Sequence, residues 1–208
     1  MVGTRGRLIV SDTRSASIER NTRETQIRAE IDLDGTGSND VQCEIGFFAH
    51  MLEAFSKHGH FDLVLHIAGD LHIDQHHTVE DAGLVLGRAF REALGDRKGI
   101  WRTGHCRFPM DEALAVVSID LSGRPYLHFE AAFGKEQVGD FQTDMVIEFF
   151  RAVSQSLGAT VHVDLLRGDN AHHCIEAIFK AFGRALEISA SHHPRARTVP
   201  STKGSLDG

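Results

Sequence analysis

The chain has 208 residues, 41% apolar and 25% charged, with a formal net charge of −7; it is long enough for one domain or two fused halves and offers no basic stripe for nucleic acid. No apolar run reaches the length of a membrane span, and the opening Met1-Val2-Gly3-Thr4-Arg5-Gly6-Arg7 lacks the apolar stretch of a signal peptide, so a cytoplasmic protein is expected. Three widely spaced cysteines, Cys43, Cys106 and Cys174, argue for reduced thiols, and 14 histidines are the anomaly.

Arg7 to Ser11 is a short strand candidate. Residues 24–33 alternate Ile27, Ala29, Ile31 and Leu33 with polar neighbours, the pattern of a half-buried strand. Asp34-Gly35-Thr36-Gly37 supplies a turn, and Val41, Cys43 and Ile45 resume the alternation. The period then becomes helical, with Phe48, Met51, Leu52 and Phe55 on one face as far as Gly59; residues 61–67 read as a strand, and a helix runs from His76 to about Leu94. After a turn at Gly95 to Gly99 the order repeats. Strands are expected at 103–108, 113–121 and 125–131, a helix through Met145, Val146, Phe149, Phe150 and Val153, a strand at 161–166, and a helix to about Ala190. Each half reads β-β-β-α-β-α, which predicts an internally duplicated α+β fold with halves at about 5–95 and 100–190, each a sheet backed by two helices, and a C-terminal tail at 191–208.

The two last helices open alike, on His76-His77-Thr78-Val79-Glu80 and His172-His173-Cys174-Ile175-Glu176. At roughly 100° per residue, Val79, Ala82, Leu86, Phe90 and Ala93 form an apolar stripe that excludes His76, His77 and Glu80. The second copy does the same with Ile175, Ile178, Phe179, Phe182 and Leu186. Within each copy the first His and the Glu, four apart, can reach one ion, whereas the second His points elsewhere. Two metals follow, each taking an HxxxE pair from one copy and the divergent His from the other. Imidazole with carboxylate suits Mn, Fe or Zn. One helix upstream, His50 and Glu148 stand at matching positions opposite their apolar faces. The expected sets are His50, His77, His172 and Glu176, and His76, Glu80, Glu148 and His173, with neighbouring protomers supplying part of each.

With those residues in hand, the chain resembles imidazoleglycerol-phosphate dehydratase. The resemblance covers nearly its whole length: Arg23-Glu24-Thr25, Leu33-Asp34-Gly35-Thr36-Gly37, Phe48-Ala49-His50-Met51-Leu52, Asp70-Leu71-His72-Ile73-Asp74, the first HHTVED, Ser122-Gly123-Arg124-Pro125, the second HHxxE with Phe179-Lys180-Ala181, and Pro200-Ser201-Thr202-Lys203-Gly204. It implies a duplicated α/β sandwich, a 24-subunit shell and two Mn²⁺ per active site at subunit interfaces. Several family members carry His where Glu148 stands; a carboxylate also binds Mn²⁺. The implied reaction removes water from D-erythro-imidazoleglycerol phosphate to give imidazole acetol phosphate, in histidine biosynthesis. Its proton leaves a carbon with no adjacent carbonyl, so a metal-held imidazolate serves as the electron sink. Glu24 is the implied base. His58, Arg102, Arg124, Lys180, Ser201, Thr202 and Lys203 are implied substrate contacts, and guanidinium forks suit the phosphate. His50, His76, His77, Glu80 and His172 are expected to contact the substrate as well, and His72 and Asp74 to orient ligands. HHxxE alone would also suit a binuclear metallohydrolase or a non-catalytic shell protein joined by metals.

Overall fold

The computed structural model describes residues 13–206; the strand expected at Arg7 to Ser11 lies outside them. The elements are β1 (Ser15–Asn21), β2 (Thr25–Asp32), β3 (Asn39–Cys43), α1 (Gly46–Gly59), β4 (Asp62–Gly69), α2 (His76–Leu94), β5 (Thr103–Met110), β6 (Ala113–Asp120), β7 (Tyr126–Glu130), β8 (Gln137–Val138), β9 (Phe141–Gln142), α3 (Met145–Leu157), β10 (Thr160–Arg167) and α4 (Ala171–Ala190). With the small β8–β9 hairpin set aside, the order β-β-β-α-β-α occurs twice, as the sequence predicts.

The two sheets repeat one topology, β1-β2-β4-β3 and β5-β6-β10-β7. In each, the fourth strand of the half lies antiparallel to the second and parallel to the third. A parallel neighbour demands a crossover, and α1 and α3 provide it. Alternation decides which face turns inward: Thr25, Ile27, Ala29 and Ile31 are buried on β2 while Gln26 and Arg28 are exposed, and Ala113, Ala115, Val117 and Ile119 repeat this on β6.

The helices fill the space between the sheets. α2 lies on β1 and β2, α4 on β5 and β6, and the halves join by packing α1 on α4 and α2 on α3. Phenylalanines cross this joint, with Phe55 stacked on Phe182 at 5.5 Å between ring centroids and Phe48 edge-on to Phe149 at 5.4 Å. Close approach depends on glycine at one equivalent position of each HHxxE helix. A Cβ on Gly183 would lie 2.5 Å from the Phe55 carbonyl oxygen, and one on Gly87 would lie 2.7 Å from that of Val153. The helix pairs thus carry the duplication: α4 meets α1 as α2 meets α3.

Two elements escape the sequence pattern. β1 buries only Ile18, so no alternation marks it. The β8–β9 hairpin crosses to the other half, where the Asp140 carboxylate accepts from the N–H groups of Gly46 (2.7 Å) and Phe47 (3.1 Å) at the start of α1. Phe141 beside it is buried and stacks on Phe48 at 5.5 Å.

Candidate active site

Because α1 and α4 run side by side, their ligand candidates meet. His50, His172 and Glu176 each place a ligand atom within 4.8 Å of the others. His172 Nε2 lies 3.0 Å and His50 Nε2 3.8 Å from Glu176 Oε2. This donor chemistry fits a divalent cation such as Mn²⁺. Glu176 is only 6% exposed. Burial pushes its carboxyl upward, but Lys180, whose Nζ lies 2.7 Å from Oε1, and the two imidazoles outweigh burial and hold it below the ordinary carboxylate value. Lys180 also sits over the Phe108 ring, 5.8 Å from its centroid, and His58 packs edge-on to that ring at 5.2 Å. Burial, then the Lys180 charge, pull His58 below the ordinary imidazole value. Five of the sequence candidates, His50, His58, His172, Glu176 and Lys180, are therefore joined through Glu176 and the Phe108 ring into one cluster.

On the other helix pair, His76 and Glu80 on α2 and Glu148 on α3 stand at the corresponding positions, but among the described residues they do not converge into a ligand group as the first set does. Glu148 occupies the place that His50 holds in the first pair; its carboxylate accepts from Arg151 one turn along.

The second histidine of each motif turns away from its own pair's Glu and finds a carboxylate on a loop. His77 Nδ1 lies 3.1 Å from Asp70 Oδ2, and His173 Nδ1 lies 2.9 Å from Glu112 Oε2. Those hydrogen bonds hold both imidazoles above their ordinary value. Glu112, bonded by His173 and by the Asn170 N–H, is drawn down to about 2. Sequence reading missed Asp70 and Glu112 in this role and put His72 and Asp74 there instead. Asp74 accepts from the His76 backbone N–H at 2.8 Å, so it caps α2 rather than holding a ring. His72 lines a cleft of about 290 Å³ with Glu24 and Asp70. Glu24 opens into that cleft, its side chain 57% exposed and 4.0 Å from His77 Nδ1.

The phosphate candidates lie elsewhere. Arg102 grips Asp120 with two bonds of 2.7 and 2.9 Å and donates to the Pro200 carbonyl at 2.8 Å. Its backbone N–H bonds the Ser189 carbonyl near the C-terminal end of α4, about 25 Å from His172 at the rise of a helix. The tail is pinned at Pro200 and at buried Leu206, whose carbonyl covers Gly123, leaving Thr202 and Lys203 exposed between. Arg124 is exposed, and Ser201 half-buried, at the same end.

Residues 43–186 match the family model described as imidazoleglycerol-phosphate dehydratase. The chain is 53% identical over 195 residues to the imidazoleglycerol-phosphate dehydratase of Ralstonia pickettii, covering 93% of this chain and all of the relative. It is 50% identical over 194 residues to that of Methylorubrum populi, with the same coverage. Among solved structures, the Staphylococcus aureus dehydratase superposes with a TM-score of 0.78 at 42% identity over 86% of this chain and 99% of that one. The Pyrococcus furiosus enzyme in complex with (S)-C348 gives 0.78 at 34% identity over 90% and 99%. Doubled topology, twin HHxxE helices and full-length similarity agree that the chain belongs to the imidazoleglycerol-phosphate dehydratase family.

Proposed function

We propose that the chain dehydrates D-erythro-imidazoleglycerol phosphate to imidazole acetol phosphate as a two-manganese enzyme whose sites close between protomers of a 24-subunit shell. The observation that carries this reading is the division of the donor set. His50, His172 and Glu176 converge, whereas His77, the fourth member of that set, is tied to Asp70 on another surface. A neighbouring protomer's His77 would complete the set, and likewise its His173 would join His76, Glu80 and Glu148. Phosphate candidates some 25 Å from the donors along α4 point the same way, since one chain cannot bring both ends to one small substrate.

Bound cations would supply Lewis-acid stabilisation of charge on the azole ring and hold it in place. The chain's own groups do the rest. Glu24, uncommitted in its open cleft, removes the C–H proton. Lys180 and His58 border the donors and contact the substrate there. Arg102, Arg124, Ser201, Thr202 and Lys203 hold the phosphate, with Arg102 clamping the tail that presents the last three.

Water loss from imidazoleglycerol phosphate is measured with Mn²⁺ and after chelation, with particle size followed by light scattering. Turnover that needs Mn²⁺, and a smaller particle on chelation, are expected, because ligands shared between chains make metal binding part of assembly. A chelated protein that keeps full activity removes the metal role, and one that keeps its size removes shared ligation as the driver of assembly.

A further inference from the structure

The duplication gives Glu24 a counterpart. Thr25 and Ala113 open the second strand of each half, and Glu24 and Glu112 precede them. The surroundings match. Thr25 pairs with Gly69, where a Cβ would strike Thr78; a Cβ on Gly168 would strike Cys174 and Ala113. Thr78 and Cys174 are the third residues of the two HHxxE motifs. Each glutamate therefore faces the second histidine of its own half, Glu24 facing His77 and Glu112 facing His173.

Their engagements differ. Glu112 is spent, with one oxygen on His173 Nδ1 at 2.9 Å and the other accepting the Asn170 N–H at 2.9 Å. Glu24 stands 4.0 Å from His77 Nδ1, too far for a hydrogen bond. Asp70 has taken that place at 3.1 Å, its side chain only 14% exposed. The residue comes from the loop between Gly69 and His76, which is longer than the matching loop between Gly168 and His172.

We propose that Asp70 and Glu112 are positioning residues with one task, holding Nδ1 of His77 and His173 so that Nε2 of each is presented to a cation, and that Asp70 relieves Glu24 of this task in the first half. A neutral imidazole has one donor and one acceptor nitrogen; donating Nδ1–H to a carboxylate fixes the tautomer that leaves the Nε2 lone pair free. The freed glutamate keeps its own lone pairs for a substrate proton. In this way duplicated carboxylates diverged into a holder and a base. The inference rests on the metal and base roles given under Proposed function.

The test is calorimetric titration of Mn²⁺ into full-length Asp70→Ala, Asp70→Asn and Glu112→Ala proteins beside the unaltered chain. Both alanine variants are expected to bind Mn²⁺ about 10–100-fold more weakly. Asp70→Asn, whose carbonyl still accepts from Nδ1–H, recovers most of that loss, which a purely structural role would not predict. At saturating Mn²⁺ the deficit in kcat is larger for Asp70→Ala than for Glu112→Ala, because Glu24 falls back onto His77. Unchanged affinity in Asp70→Ala, or no recovery in Asp70→Asn, overturns the proposal while leaving the metal reading intact. An unaltered chain that binds no Mn²⁺ overturns both. Should Asp70→Ala fold poorly, ¹⁵N shifts of the His77 ring in the metal-free unaltered protein read the tautomer directly: Nδ1–H with bare Nε2 supports the assignment, and the reverse overturns it.

Discussion

Replacing Asp81 by alanine strikes a buried carboxylate one residue beyond Glu80. Asp81 is 5% exposed and lies on the inward side of α2, where Oδ2 accepts from the Thr25 hydroxyl and Oδ1 meets Arg20 Nε at 2.9 Å. It therefore ties the helix bearing His76 and His77 to the β1–β2 turn bearing Glu24. The second half has Ala177 and Ala113 at the matching places, so the same packing forms there without an acid. A hydrogen bond to a charged group contributes about 1.5–3 kcal/mol. The Thr25 bond lies fully inside and takes that whole range, whereas the Arg20 side chain is 43% exposed, so its pairing adds at most about 1 kcal/mol after screening. Thr22 already bonds Thr25 Oγ1, which softens the loss. Asp81→Ala should thus cost about 2–3 kcal/mol, or about 4–12 °C in Tm for a chain of this size, measured at fixed protomer and Mn²⁺ concentration. Thr25→Val removes the hydroxyl alone, and the double variant completes a cycle with a coupling energy expected above about 1 kcal/mol. If the two changes add within about 0.5 kcal/mol, the hydroxyl–carboxylate bond is not what holds the turn, and the argument fails.

Glu24→Gln should retain Mn²⁺ and particle size yet lose about 10²–10⁴ in kcat, the usual worth of a general base; near-normal turnover in a stopped assay would remove Glu24 from that role. Deleting the chain from Ser201 onward should raise KM for imidazoleglycerol phosphate far more than it lowers kcat, and an unchanged KM refutes phosphate binding by the tail. Acid should loosen the turn before β3. Asp62 accepts from the Thr36 and Ser38 N–H groups at 2.8 and 2.9 Å, and these bonds hold its carboxyl below the ordinary value. Its stabilising effect is therefore complete above the unfolded-chain pKa of about 3.9 and fades as pH falls from there through the lower folded value. Asp62→Asn should lack that part of the acid response, so denaturant midpoints of the two proteins should converge as pH falls; parallel curves would contradict it.

Legibility in the sequence followed the reach of each interaction. Alternation on β2 and β6 and the apolar stripes of the four helices are local, and the expected elements match them. The HHxxE repeat was visible because a helix turns ligand spacing into a face, and the duplication then made His50 and Glu148 visible as a pair. β1 was hidden because an edge strand with one buried residue, Ile18, has no period to detect. Asp140 was hidden because the bond from its carboxylate to the start of α1 crosses from one half to the other. Asp70 and Glu112 were hidden for a sharper reason. They do the same thing for equivalent histidines, but one comes from the loop before α2 and the other from the β5–β6 turn, so no repeat unit contains both. The divergence that conceals them in sequence shows in space as a displacement: where two halves share a backbone yet a different loop supplies the carboxylate, the displaced residue, Glu24, is left 4.0 Å from the ring that its counterpart Glu112 holds in the other half.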